Sequence, residues 1–222
     1  MMQGKLIVLE GIDGSGKSTQ YEKLCERFEA EGKEFVKISF PRYDKDSSVL
    51  IREYLNGDYG SDPSDVNCYA ASTFFAVDRF ASFKTHWGEY YNNGGIILAA
   101  RYTTSNDCHQ GSKLPEEERR KFYDWLYDFE FNKLGLPAPD LVLYLDIDIE
   151  TSLRQMENRR EQTNTTADIH EKNSTYLQAS LEAGHAAVEH YGWKKICCVN
   201  GGEMRSIEEI HEDIYKAVME VL

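Results

Sequence analysis

The residues Gly11-Ile12-Asp13-Gly14-Ser15-Gly16-Lys17-Ser18 follow the spacing G-x-x-x-x-G-K-[ST]. That combination suits one chemistry, the holding of a chain of phosphates. Glycines let backbone N–H groups turn inward around phosphate oxygens, where side chains would obstruct them. A helix beginning near Lys17 aims its positive end at the same anion. Lys17 then reaches the β and γ phosphates and Ser18 ligates Mg²⁺, with Thr19 closing the loop around the nucleotide. A glycine turn arising by chance is the competing reading. An apolar run before the motif and a helical pattern after it count against that. The spacing identifies a nucleoside triphosphate as ligand and leaves the acceptor of any phosphoryl group unnamed.

Four arginines have the placement such a site needs. Arg42 stands in "FPRYD", Arg101 in "AARYTTSND", and Arg159 and Arg160 precede the polar run "EQTNTTAD". All fall near the carboxyl ends of strand-like segments or next to the polar run. Guanidinium groups grip phosphate bidentately, and phosphoryl transfer depends on positioning and charge stabilisation. Any single arginine is as readily a solvated surface residue; chance is a poorer account of all of them. In "STFFAVDRFAS", Phe75 and Arg79 are four residues apart and project from one helical face. Such a pair is more often a core edge beside a surface charge. Turned toward the phosphate loop, Phe75 stacks a base and Arg79 bonds a base carbonyl. Phe74, Val77 and Ala81 lie on a neighbouring face and suit the core.

The elements that must position these residues alternate along the chain. Short apolar runs at 5–10, 34–40, 95–100, 141–147 and 195–200 read as strands covered on both faces. Helical patterns occupy 17–31, 46–56, 64–92, 115–134, 150–160, 171–191 and 206–221. This order specifies an α/β fold with a parallel sheet and ligands at the carboxyl ends of its strands. With 222 residues, one domain over 1–222 is expected. The polar run 161–168 reads as a mobile loop within a lid at about 159–170.

Composition excludes several classes. The formal charge of −13 argues against nucleic acid and anionic membrane as bulk partners. No apolar run is long enough to span a bilayer, and the first residues lack a secretory pattern. The five cysteines, Cys25, Cys68, Cys108, Cys197 and Cys198, show no C-x-x-C spacing. Cys197 and Cys198, inside an apolar run, are expected as buried thiols, and a cytoplasmic setting follows. The six histidines show no zinc spacing. Asp146 and Asp148 end the fourth strand, where capping of the next helix is the simpler role. "VNGG" (199–202) either wraps an adenine or makes an ordinary turn.

Taken in order, "EGIDGSGKST", "FPRYD", "FFAVDRFAS", "ARYTTSND" with "HQGSK", and "PAPDLVLYLDI" resemble the thymidylate kinases over nearly the whole chain. The resemblance implies a three-layer P-loop kinase fold, a five-stranded parallel sheet flanked by helices with a short lid. It implies transfer of the ATP γ-phosphoryl to dTMP with Mg²⁺, and a homodimer through the helix carrying Phe75. On the matching positions, Asp13 reaches the sugar 3′-hydroxyl side of the acceptor and Arg42 holds the acceptor phosphate. Phe75 stacks on thymine, Arg79 bonds its carbonyl, and Arg101 lies near the transferred phosphoryl. Ser105, Asn106 and Gln110 line the nucleoside. Arg159 or Arg160 matches the lid arginine of many bacterial members, and Gly14-Ser15 in the loop agrees with a lid donor.

One position departs from the family pattern. The third strand usually ends Asp-Arg-Tyr and here reads Ala100-Arg101-Tyr102. The missing carboxylate normally organises Mg²⁺ and its waters, which leaves Asp13 as the acid expected nearest to them. The alternatives are a kinase for another nucleoside monophosphate or a deoxynucleoside, and a nucleotide-binding protein with impaired turnover. Retention of Lys17, Arg42, Arg101 and the lid pair speaks against the last.

Overall fold

Alternation along the first strand sets the layers. In β1 (Lys5–Glu10), Leu6 and Val8 enter the core on one side of the sheet, and Ile7 and Leu9 enter the core on the other. All four are fully buried, as a sheet covered on both faces requires. The computed structural model describes the backbone over residues 3–163 and 174–222, and the side chains over 3–158 and 175–222.

From β1 the chain passes through the phosphate loop into α1 (Lys17–Ala30), then β2 (Val36–Ser39), α2 (Val49–Asn56), α3 (Cys68–Ser82) and α4 (Gly88–Asn92). Next come β3 (Ile96–Ala100), α5 (Thr104–His109), α6 (Glu116–Tyr127), β4 (Leu141–Asp146) and α7 (Ile149–Thr163). The chain ends with α8 (Ser174–Tyr191), β5 (Lys194–Cys197), the hairpin β6 (Val199–Asn200) and β7 (Glu203–Met204), and α9 (Ile207–Met219). The main sheet has five parallel strands in the order β2-β3-β1-β4-β5. Parallel pairing puts every carboxyl end on one edge, so residues following β1, β2, β3 and β4 converge there. Leu9 of β1 and Ser39 of β2 both stand in register with Ala100.

One face of the sheet is covered by α1 and α9, where Tyr21, Leu24, Phe28, Ile210, Ile214 and Val218 pack on Ile7, Leu9, Leu98 and Leu143. Each such aliphatic or aromatic side chain contributes about 1.5–3 kcal/mol by leaving water. On the other face Trp87, Tyr91 and Tyr102 pack on Leu6, Val8, Ile97 and Ala99.

Five local expectations change. Residues Thr104–His109 form a helix that the pattern did not suggest, because its six residues offer too little apolar periodicity. The run 195–200 is two strands, with Cys198 between β5 and β6 and a turn at Gly201 and Gly202, both at positive φ. Of the adjacent pair, Cys197 is exposed and Cys198 buried, because β5 is an edge strand whose alternate side chains face outward. Val77 is 53% exposed rather than core, because α3 turns Ala71, Ala76, Asp78 and Arg79 inward. Helix α7 also carries residues 161–163 of the expected loop. The rest of that loop, 164–168, and lid residues 169–170 lie outside the described residues.

Candidate active site

The phosphate loop is shaped by glycines whose side chains could not be anything larger. A Cβ on Gly11, at φ 153°, would stand 2.7 Å from Ser15 Oγ and 2.9 Å from the Leu145 carbonyl. One on Gly14, at φ 77°, would stand 2.5 Å from the Ser152 carbonyl. Ser152 Oγ donates to the Asp13 carbonyl at 2.6 Å and braces the loop from α7. Gly16 opens α1 in a left-handed conformation with no side-chain cap, so the first N–H groups of α1 face the cleft without a side-chain acceptor. Lys17 folds back over the loop, donating to the Gly11 carbonyl at 2.7 Å. Burial first, then the neighbouring Arg101 charge, lower its ammonium to about 8. Ser18 and Thr19 are exposed in the same cleft. Across it stand Gln155 and Asn158 of α7, which sequence reasoning missed; their signal was a helical spacing of three leading to Arg159.

A second pocket, of about 220 Å³, opens beside the loop. Phe75 and Arg79 of α3, Pro41 and Tyr43 after β2, and Ser105, Asn106, His109 and Gln110 around α5 line it. Asp13 and Arg101 line both cavities and stand between them. Their side chains form an ion pair, Arg101 Nη2 donating to Asp13 Oδ1. Burial alone would raise the Asp13 carboxyl; positive neighbours, Arg101 foremost, override it and hold it well below the usual carboxylate range. Arg101 is raised in turn, burial opposing and Asp13 prevailing. Arg101 holds φ at 64°, a left-handed conformation that costs a non-glycine residue about 1–3 kcal/mol. Its N–H donates to the Leu9 carbonyl at 3.2 Å, locking that turn to β1. Such strain at a strand end aims the guanidinium between the two cavities instead of along the sheet.

His109 meets Arg101 from the other side, its Nε2 at 3.0 Å from Arg101 Nη1. Arginine only donates, so Nε2 accepts. This histidine belongs to no metal spacing, although "HQGSK" lies within the resemblance. Glu10 was also missed. Its fully buried carboxylate accepts from Gly11 N at 2.9 Å, Thr104 Oγ1 at 2.7 Å and Ser105 Oγ at 2.6 Å, tying β1 to the start of α5. An acid at the end of an otherwise apolar strand was the available signal.

Three expected residues have partners that narrow their roles. Arg42 does not line the pocket: its Nε donates to Asp78 at 3.1 Å and its Nη2 to Ser47 at 3.0 Å. Asp78 also receives the Arg42 N–H at 2.8 Å and so fixes the rim between Pro41 and Tyr43. Arg79 reaches the pocket yet gives two N–H groups to buried Glu130, through Nε at 2.6 Å and through Nη2. Asp13 gives Oδ1 to Arg101, which narrows its part beside a metal's waters. Phe75 keeps its place, with the Tyr54 ring edge-on at 6.4 Å. Gln110 is fully buried at the pocket, and neither its oxygen nor its nitrogen has a partner among the described residues. Asp148 caps α7 through Thr151 N at 2.8 Å, whereas Asp146 pairs with His185 at 2.6 Å and Lys195 at 3.1 Å. Arg159 and Arg160 belong to α7 by backbone; their side chains lie outside the described residues.

Comparison with known proteins agrees with this arrangement. The family model described as thymidylate kinase matches residues 9–214. A thymidylate kinase of Mycobacterium tuberculosis is 32% identical over 189 residues, covering 85% of this chain and 87% of the relative. A probable thymidylate kinase of Pyrococcus abyssi is 30% identical over 217 residues, 98% of this chain and 97% of its own. The human thymidylate kinase is 28% identical over 216 residues, 96% and 88% respectively. The structure of a Candida albicans thymidylate kinase superposes with a TM-score of 0.69 at 20% identity, covering 98% of this chain and 92% of that one, a likeness of fold. With a phosphate loop, an adjoining aromatic pocket and a family match across both, this chain belongs to the thymidylate kinase family.

Proposed function

We infer that this chain transfers the γ-phosphoryl group of ATP to dTMP, giving dTDP and ADP. One observation carries the reading beyond family membership: Asp13 and Arg101 line both the phosphate-loop cleft and the neighbouring pocket. A donor in one and an acceptor in the other meet across a guanidinium, where charge develops on the transferring group. Lys17 bridges the donor phosphates from its place over the loop. Arg101 and His109 orient the reacting ends. Phe75 stacks the acceptor base, and the unpartnered Gln110 amide supplies a donor and an acceptor to the nucleoside. Arg79, held by Glu130 and donating from Nη1 to the Tyr102 carbonyl at 3.3 Å, brings its guanidinium edge to the pocket. Arg42 shapes the rim through Asp78 and meets the acceptor phosphate by exchanging that partner.

Ser18 is the residue that would hold Mg²⁺. The fit is reasonable for a metal carried mostly by ATP and water: no group of three acidic, histidine or cysteine ligands exists among the described residues, and Ser18 is an exposed hard oxygen donor at the cleft. When bound, the ion neutralises charge on the phosphates. Arg159 follows Gln155 by four residues in α7, which supports the lid-arginine type of the family for Arg159, with Arg160 beside it. A single domain over 1–222 holds both sites, a cytoplasmic enzyme of dTTP synthesis that works as a homodimer. No helix among the described residues is long and apolar enough to cross a membrane.

The test is ADP release with ATP and a panel of nucleoside monophosphates and deoxynucleosides. Turnover of dTMP should exceed that of AMP, GMP, CMP and thymidine; a faster acceptor among these overturns the choice of substrate.

A further inference from the structure

Behind α5 lies a third cavity that the phosphoryl-transfer reading does not use. Its volume is about 250 Å³, slightly more than that of the acceptor pocket. Tyr127, Phe131, Tyr191 and Trp193 line it, with Asp107 of α5 among them. Ser105, Asn106 and His109 line the acceptor pocket, so one short helix separates the two. The Tyr191 ring lies nearly parallel to Trp193 at 5.4 Å and to Tyr127 at 6.4 Å, while Tyr127 meets Phe131 edge-on at 4.8 Å.

Asp107 is 2% exposed, and among the described residues its side chain has one hydrogen bond, from the Tyr191 hydroxyl at 3.2 Å. The cations around it are committed elsewhere. Arg79, whose charge acts on it, is paired with Glu130, and Lys194 at the cavity rim with Glu220 at 2.7 Å. A buried carboxyl among aromatic rings makes a cavity whose polar end and ring faces both favour positive charge, while the walls favour an apolar body. We propose that this cavity binds a protonated alkylamine, its ammonium on Asp107 and its chain against Tyr191 and Trp193.

The titration of Asp107 gives binding a signature. Burial above all, with Glu130 of the stretch after α6 and Glu10 of β1, pushes its carboxyl well above the ordinary range. The Tyr191 hydrogen bond from α8 and the Arg79 charge from α3 oppose them, Tyr123 of α6 and Cys108 of α5 are nearby titratable groups, and Asp140 and Lys194 stand at the rim. At pH values below that raised range the empty site holds a carboxylic acid. Binding exchanges its proton for the guest's charge: Asp107 carboxylic acid plus alkylammonium gives a carboxylate–ammonium pair and one proton to solvent. Affinity thus rises with pH until the empty-site carboxyl is itself ionised.

The probe is n-butylammonium, titrated into the full chain by calorimetry in two buffers of different ionisation enthalpy, with neutral n-butanol of the same length as control. We expect saturable amine binding, proton release that falls as pH rises, and binding of n-butanol weaker by at least about tenfold. Asp107→Asn keeps the shape and should lose both the proton release and at least about tenfold in affinity. If that variant does not fold, Trp193→Leu removes a ring from the wall and should weaken the amine without changing proton release. No saturable binding, equal binding of n-butanol, unchanged affinity in the folded variant tested, or displacement of the amine by ATP or dTMP would each overturn the proposal. Because the readout is binding alone, the outcome does not depend on which nucleotide is the acceptor.

Discussion

Lys17 is the residue whose chemistry makes the sharpest demand on conditions. Its ammonium sits at about 8 because burial and Arg101 disfavour the charge, while bound phosphates favour it. ATP binding therefore takes up a proton whenever the free enzyme has lost it. The expected affinity is flat below about pH 8 and falls above it; Lys17→Arg, which cannot deprotonate, should flatten the profile, as fluorescence or calorimetric titration across pH 6–10 would show. Lys17→Ala should lower dTMP turnover by at least about a hundredfold, the scale of one lost electrostatic stabiliser. Ala100 raises a second question at this scale. It stands in register with Leu9 and Ser39, beside a site whose two nearest acids are committed, Asp13 to Arg101 and Glu10 to Gly11, Thr104 and Ser105. A higher Mg²⁺ requirement follows, and Ala100→Asp should lower the half-saturating Mg²⁺ in a titration at fixed ATP. An unchanged requirement, or lost turnover in a folded variant, would mean the strand end has repacked around the methyl group.

Helix α3 is the element on which acceptor recognition rests. It carries Phe75 in the pocket, Asp78 holding Arg42, and Arg79 held by Glu130, so one rigid rod sets base, rim and partner residues together. Phe75→Ala should weaken dTMP binding by roughly 1–3 kcal/mol, the scale of a stacked base, and leave ATP binding nearly unchanged. Equal losses for both nucleotides would make Phe75 a core residue. The Arg79–Glu130 pair is fully desolvated, and removing one partner strands a buried charge. Glu130→Ala should therefore destabilise the protein by about 3–5 kcal/mol in urea unfolding, with dTMP affinity falling as Arg79 loses its orientation. A change below about 1 kcal/mol, the scale of an exposed pair, would show the pair to be solvated in solution.

At the scale of the whole molecule, the outward side of the same helix is an apolar face left open among the described residues. Val77 and Phe80 are 53% and 36% exposed on α3, opposite the side that builds the pocket. Scattered apolar residues are ordinary on a surface, but two on one helix face of a chain with a charge of −13 suit contact with a second copy. Light scattering should give a dimer for the native chain and a monomer for Val77→Asp combined with Phe80→Asp. Because α3 carries Phe75 on its inner side, dTMP affinity should fall with the dimer. A native monomer in the micromolar range would remove that coupling.

Sequence alone determined the phosphate loop, since glycine spacing and a lysine at a helix start are local requirements that a strand–loop–helix context satisfies without distant contacts. The same holds for the parallel sheet, because apolar runs and helices alternate along the chain. Phe75 and Arg79 were legible as a helical pair, and Ser105, Asn106 and Gln110 as matches to a family segment. What Arg42, Arg79 and Asp13 are bonded to was not legible. Their partners Asp78, Glu130 and Arg101 lie 36, 51 and 88 residues away, and an ion pair across such distances leaves no periodic trace. Glu10 and His109 escaped for the same reason, one looking like a strand terminus and the other like an unmatched histidine. Only the tertiary structure decided that Asp13 and Arg101 stand between two cavities, because that position exists only where β1 and β3 lie side by side.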